Sequence, residues 1–379
     1  MDSPFDKDGF AGGINMGIGM DTLYFKEDWA AAKESLTGWW NHEIRGRWAL
    51  GVRAPRANPL PFEEPPPFPA DPREKWLDYR TNHTHKEAFF SAYAHYGIIY
   101  PENTAYLGPG SLNIFLGTPV DFQDTTTWYR EIYEDPAEVE QLQFDRNGAY
   151  WKWTAEALEF LRERAAGRYV VTMPDLIEGL DTLAELFGTQ ELLMHLLDCP
   201  DDIHRLLDQL DDLYFEAYDP LAELIRREDG SVPYMAFNAW GPGRTAKVQC
   251  DFSAMISPDM YDEFVLPHIR RQCQRLDYAV YHLDGPDAIR HLDSVLTIPE
   301  LNALQWEPGA GQPRTSDPVW WDRIWKKVYA SGKSAFLHGA PIEQVEPFVK
   351  EFGTEGTLIL TATEDEDTAK RLMDDSLNW

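Results

Sequence analysis

The sequence predicts an α/β protein built as a (β/α)8 TIM barrel with an N-terminal extension. Three observations lead there: eight short β-type runs, long helical segments with one apolar face between them, and polar or charged residues closing each of the last four runs. The extension takes residues 1–45 and the barrel residues 46–379. A doubly wound sheet would carry fewer strands and a nucleotide-binding glycine fingerprint near its start. The glycines of 9–19 (GFAGGINMGIG) precede no strand-to-helix turn and read as a flexible leader.

In chain order the runs are 48–52 (WALGV), 104–107 (TAYL), 168–173 (RYVVTM), 247–252 (KVQCDF), 278–282 (YAVYH), 303–306 (ALQW), 335–338 (AFLH) and 357–361 (TLILT). The third is bounded by Gly167 and Pro174 and has the continuous apolar pattern of a buried strand. Between the third and fourth runs, Ile203, Leu206, Leu207, Leu210 and Leu213 recur at helical spacing, with Asp201 and Asp202 at the end where a helix dipole favours negative charge. A later helix opens with Ser257 as N-cap and Pro258 in the first helical position, and Pro267 must kink or interrupt it. Residues 57–72 are proline-rich and predict a stiff surface excursion.

Composition bounds the function. Thirty-four Lys and Arg stand against 64 Asp and Glu in 379 residues, a formal net charge of −30 that repels phosphate backbones and anionic lipid, so neither nucleic acid nor membrane is an expected partner. Cys199, Cys250 and Cys273 share no CxxC spacing, which excludes a disulfide framework and a closed four-thiolate zinc site and fits a reducing, cytoplasmic compartment. No run approaches the roughly 18 apolar residues of a membrane span. Aromatic residues reach 13%, more than a core alone asks for, so some rings are expected to line a binding surface.

In a barrel, functional side chains sit at the carboxyl ends of the strands. The residues found there are Asp175 and Glu178 after the third run, Asp251 after the fourth, His282 and Asp284 after the fifth, Trp306 and Glu307 after the sixth, His338 after the seventh and Glu364 after the eighth, with Trp240 approaching before the fourth and Tyr281 beside His282. His282 and Asp284 are two apart and point to one side, as an acid/base pair or as two ligands of an open metal site with His338 the third. Glu307 beside Trp306 has the apolar neighbour that raises a carboxyl pKa. His83 and His85 read as solvated, and Trp39–Trp40 as packing against the barrel.

The order of several segments resembles the uroporphyrinogen decarboxylase superfamily, which includes cobamide-dependent methyltransferases. The carrying residues are Trp40-Asn41-His42-Glu43-Ile44, Gly179-Leu180-Asp181-Thr182-Leu183-Ala184, Ile256-Ser257-Pro258-Asp259-Met260-Tyr261 with Phe264 and Pro267, His282-Leu283-Asp284-Gly285 and Leu337-His338-Gly339-Ala340-Pro341. The resemblance implies a (β/α)8 barrel. Decarboxylase members carry an arginine-rich N-terminal signature and a tetrapyrrole-holding aspartate at the second strand, where this chain has Ser111-Leu112-Asn113. Methyltransferase members hold zinc through His-x-Cys and a later Cys, and the matching positions here are His282, Asp284 and the neighbourhood of 361–363, without thiolates.

The expectation drawn from these residues is a glycoside hydrolase that needs no cofactor and acts on a small-molecule sugar. Asp284 and Glu307 would be acid and base or nucleophile, His282 would tune Asp284, and Trp240 and Trp306 would be stacking platforms. Asp175, Glu178, Asp251, His338 and Tyr281 would contact the substrate. The alternative is a zinc-dependent methyltransferase with the metal on His282, Asp284 and His338, or a sugar-binding barrel without catalysis. A homodimer is an open option.

Overall fold

The computed structural model describes residues 21–379. The leader at 9–19 lies outside the described residues. The described residues form eleven strands: β1 (Ala49–Pro55), β2 (Tyr93–Gly97), β3 (Glu102–Asn103), β4 (Val120–Phe122), β5 (Thr127–Tyr129), β6 (Val170–Val171), β7 (Thr245–Gln249), β8 (Tyr278–Asp284), β9 (Ala303–Glu307), β10 (Ser334–His338) and β11 (Thr357–Ala362). The main sheet has the order β2-β1-β11-β10-β9-β8-β7, parallel throughout except for β2, which lies antiparallel on β1. β3 and β6 form a separate parallel pair, and β4 and β5 a hairpin.

Isolated parallel bridges, Met173 to Tyr234 and Val232 to Arg244, carry the curvature from β6 through the segment 232–234 to β7. Among the described residues no backbone pairing joins β1 to β3, so the strands do not close into a continuous hydrogen-bonded ring. The fold is a mixed α/β architecture with a mostly parallel central sheet.

The pleat sorts the strand residues into two layers. On β8, Ala279, Tyr281 and Leu283 pack with the helices, as do Leu304 and Trp306 of β9 and Ala335 and Leu337 of β10. Val280, Ala303, Phe336, Leu358 and Leu360 turn the other way into an inner cluster. Both faces are buried, which is why these runs read as continuous rather than alternating hydrophobics.

The inner cluster is sealed at the amino ends of the strands by the helix Trp29–Trp40. The Trp39 indole N–H donates to the Ala335 and Gly356 carbonyls, Trp40 donates to the Trp240 carbonyl at 2.9 Å, and Ser334 Oγ donates back to the Trp39 carbonyl. Trp39–Trp40 therefore packs as the sequence predicts.

The long helix spans Pro200–Ile225 with Asp201 and Asp202 in its first turn. Ser257 Oγ accepts the Met260 N–H, and Pro267 splits the following segment into the helices Pro258–Phe264 and Leu266–Gln274.

Strand boundaries differ from expectation in places. The second strand is Glu102–Asn103 rather than 104–107. The fourth ends at Gln249, because residues 251–255 turn sharply where Asp181 accepts the N–H groups of Asp251 and Phe252. The edge strand β2 and the hairpin β4–β5 were not expected. His83 is buried against the Tyr169 hydroxyl and is not a solvated histidine, while the partly exposed His85 stacks on Phe68 with ring centroids 3.8 Å apart. No helix among the described residues is long and apolar enough to cross a membrane.

Candidate functional site

The inward positions of the strands change character toward their carboxyl ends. Below lie Val280, Ala303 and Phe336; above them come His282, Asp284, Gln305, Glu307 and His338, with Lys247 and Gln249 from β7 and Arg53 from β1. This follows from period 2: positions in step with a buried Val280 must also face inward.

His282 sits between Gln249 of β7 and Gln305 of β9 in register. Its Nδ1 is hydrogen-bonded to Gln305 Oε1, a carbonyl oxygen that can only accept, so Nδ1 carries the proton and Nε2 keeps its lone pair. Burial and the neighbouring Lys247 ammonium hold the imidazole below its ordinary pKa, which keeps it neutral. His282, Asp284 and Asp251 each offer a ligand atom, and these atoms all lie within 4.8 Å of one another.

Asp251 stands at the rim, where loss of water around its carboxyl and repulsion from Asp181, Asp284 and Asp175 push its pKa up to about 8 against the pull of Lys247. Lys247, itself buried, is tied to Asp175 at 3.0 Å, and Asp175 also accepts the Tyr234 hydroxyl at 3.0 Å. One ammonium thus faces several carboxylates.

Glu307 is the register partner of Asp284 on adjacent parallel strands. The two stand side by side rather than facing each other across a cavity. Burial and the Asp284 charge raise the Glu307 pKa, opposed by the Gly309 N–H that its Oε1 accepts.

His338 lies outside the three-residue cluster. Its pKa is lowered by burial of the ring, by Arg53 and by His282. Phe237 fills the space beneath, with its ring 5.2 Å from that of His282 and 5.5 Å from that of His338. Phe237 and Asn238 have φ of +57° and +60°, and Asn238 Oδ1 accepts the Tyr100 N–H, which anchors this left-handed turn.

Four expected site residues are not at the mouth. Tyr281 and Trp306 occupy odd positions of the pleat and point into the helical layer, Tyr281 accepting a hydrogen bond from Tyr261 and Trp306 packed edge-on against Trp320. Trp240 is at the opposite, amino end, edge-on to Trp29. Glu178 precedes the helix Gly179–Phe187 and is buried near Asp211, Arg271 and Arg275, with neither carboxyl oxygen bonded and its pKa pushed well up by burial. Neither tryptophan can be a stacking platform at the mouth.

Sequence reasoning missed Lys247, Gln305, Arg53 and Phe237. The first three had a readable signal, a polar side chain inside an otherwise apolar strand. Phe237 had none.

A second acidic group, Asp208, Asp211 and His268, also gathers its ligand atoms closely, but Arg271 is already ion-paired with both aspartates.

Beside the mouth is a cavity of about 570 Å³ whose lining includes Trp76, Tyr79, Phe89, Glu102, Asn103 and Tyr106. His282, Asp284 and Glu307 do not line it. Arg53 connects the two: its guanidinium lies 5.3 Å from the Phe89 ring and acts electrostatically on both Glu102 and His338.

No protein-family model matches the chain, and no curated protein matches it in sequence. Among solved structures, a methyltransferase from Methanosarcina mazei is similar, with a TM-score of 0.57 and 11% sequence identity over 92% of this chain and 98% of that one. At that identity the likeness concerns the fold alone. The expectation of glycosidic hydrolysis is corrected here: the structural neighbour is a methyltransferase, Asp284 and Glu307 stand side by side, and neither Trp240 nor Trp306 reaches the mouth.

Proposed function

We propose that the chain is a metal-dependent methyltransferase whose ion is held by Asp251, His282 and Asp284 at the mouth of a (β/α)8-type barrel. The observation that carries the reading is the convergence of these three ligand atoms at the carboxyl ends of β7 and β8. Asp251 takes the place expected for His338.

The residues fit such an ion on chemical grounds. A neutral imidazole with Nε2 open and two carboxylates form a three-ligand donor set that leaves room for an exogenous fourth ligand, as in catalytic zinc sites. Gln305 orients the imidazole from behind, the usual role of a partner one shell out. The crowding that pushes Asp251 up to about 8 is what a cation would relieve. A divalent ion bound there would act as a Lewis acid that lowers the pKa of the methyl acceptor.

The remaining residues have roles of their own. Glu307, with its raised proton affinity, takes the proton that the acceptor loses. Lys247 with Asp175 fixes the local charge, and Phe237 keeps water from the underside of the imidazole. The substrate is a small molecule, and the helix Trp29–Trp40 closes the far end.

The test is metal analysis and calorimetric titration with Zn²⁺ of protein stripped by chelator, alongside His282→Ala and Asp284→Asn. The expected result is one ion per chain, bound at least ten-fold more weakly by either variant, with methyl transfer lost on chelation and restored by the ion. Unchanged metal affinity in both variants would refute the site.

A further inference from the structure

We infer that the cavity beside the mouth binds a planar aromatic small molecule carrying a carbonyl or carboxylate oxygen. Its use as the substrate pocket rests on the transferase reading; the binding does not.

Three observations converge on this ligand. The walls are flat rings, namely Trp76, Tyr79, Phe89, Tyr106 and Trp153, with Phe68 above. Phe68 is held there by stacking on His85, whose Nε2 is hydrogen-bonded to the Pro66 carbonyl at 2.9 Å, so the proline-rich excursion acts as a fixed roof. Ring edges and faces at this density favour another flat π-system over a puckered one.

The inner wall carries a directional signal. Asn103 is 5% exposed, and its Oδ1 accepts the Thr104 N–H at 2.9 Å, which fixes the amide plane. Its Nδ2 is buried with no hydrogen-bond partner. A buried donor left unsatisfied costs about 1–3 kcal/mol, and an acceptor oxygen on a ligand would remove that cost once a small shift of the amide brought Nδ2 to the cavity surface. Neighbouring Glu102 is engaged by Lys86 and by the Thr172 hydroxyl, so it does not compete for the amide.

Charge separates this ligand from the other guest aromatic walls suggest, a quaternary ammonium. Lys75 and Lys86 line the cavity together with Glu102 and Asp124, so its formal charge is balanced and offers a cationic guest no net attraction. Lys75 rests on the Asp124 carbonyl and lies 5.4 Å from the Phe68 ring, which places positive charge where a cationic guest would sit. The volume suits a molecule of ordinary cofactor or drug fragment size.

The test is calorimetric and tryptophan-fluorescence titration of the metal-free full chain with 2-naphthoate and 2-naphthamide, using methyl glucoside and tetramethylammonium as competitors. The variants are Asn103→Ala and Tyr106→Ala, the latter at a residue 36% exposed whose truncation leaves the core intact. The inference expects saturable binding of both naphthalene probes, weakened at least ten-fold by each variant, with no displacement by the competitors. No saturable binding at millimolar probe, equal affinity in both variants, or displacement by tetramethylammonium would overturn it. Aromatic binding by a chain that takes up no metal would sink the transferase reading and leave this one standing; metal uptake without aromatic binding would do the reverse.

Discussion

The two ends of the same inward-facing layer are built on opposite principles. At the amino ends, Trp29, Trp39, Trp40 and Trp240 fill the interior with rings, and the Trp39 and Trp40 N–H groups donate to strand and loop carbonyls. At the carboxyl ends, a few residues further along the same strands, Asp175, Asp251, Asp284 and Glu307 crowd around Lys247 and His282. Burying rings in the first region lowers the free energy of the fold. Gathering like charges in the second raises it, and only a ligand or an ion makes that arrangement favourable. The difference teaches where stability and where chemistry reside.

Breaking the first region should have the largest effect on stability. Trp39 is 3% exposed and stacks edge-on against Phe336 at 5.6 Å. Trp39→Ala is expected to destabilise the metal-free protein by about 3–5 kcal/mol in denaturant unfolding. A loss under about 1 kcal/mol would mean that the rings only fill space, and the contrast between the ends would fail.

Loading the second region should come next. Zn²⁺ at a hundred times its dissociation constant is expected to stabilise the native chain by about 2.7 kcal/mol, and His282→Ala should abolish that increment. In the metal-free chain the same variant still loses about 1–3 kcal/mol, because Gln305 Oε1 is left without its partner. The measurement is a pair of denaturant curves with and without the ion. A metal-free penalty in His282→Ala as large as that of Trp39→Ala would show that the mouth is part of the core.

Much of this division was legible beforehand, and the misses share physical causes. The parallel strands β8 to β11 were read well because strands buried on both faces are continuous apolar runs of unambiguous length. β2 was lost because Tyr93–Gly97 has no such run and owes its strand state to pairing with β1. The residues 232–234 contribute only isolated bridges. At the site, His282 and Asp284 were found because they are two apart. Tyr281 and Trp306 were misplaced because position after a strand was weighed without the pleat, which turns every second side chain outward. Trp240 was put at the wrong end because the chain doubles back at the turn around Phe237. Asp251 as a cluster member required knowing that β7 stops at Gln249, a boundary set by Asp181 from a distant helix.

The smallest effect sharpens the comparison most, because its sign depends on the ion. In the metal-free fold the Asp251 carboxyl is held up to about 8, against 3.8 ordinarily. The folded chain therefore keeps that proton over a range in which the unfolded chain has lost it. Stability is unaffected below the lower value, falls as pH rises between the two, and is flat above the higher one. Asp251→Asn carries no such charge, so it should be more stable than the parent at pH 9 and equal to it at pH 4. Since Asp251 stands at the rim, solvent screening limits the gain to about 0.5–1 kcal/mol. With saturating Zn²⁺ the order should invert, because the parent then has a carboxylate ligand that the variant lacks. Denaturant curves at the two pH values, each with and without the ion, give four numbers. A gain for Asp251→Asn that persists unchanged with the ion would leave the crowded carboxylates as mere repulsion, with no cation for them to serve.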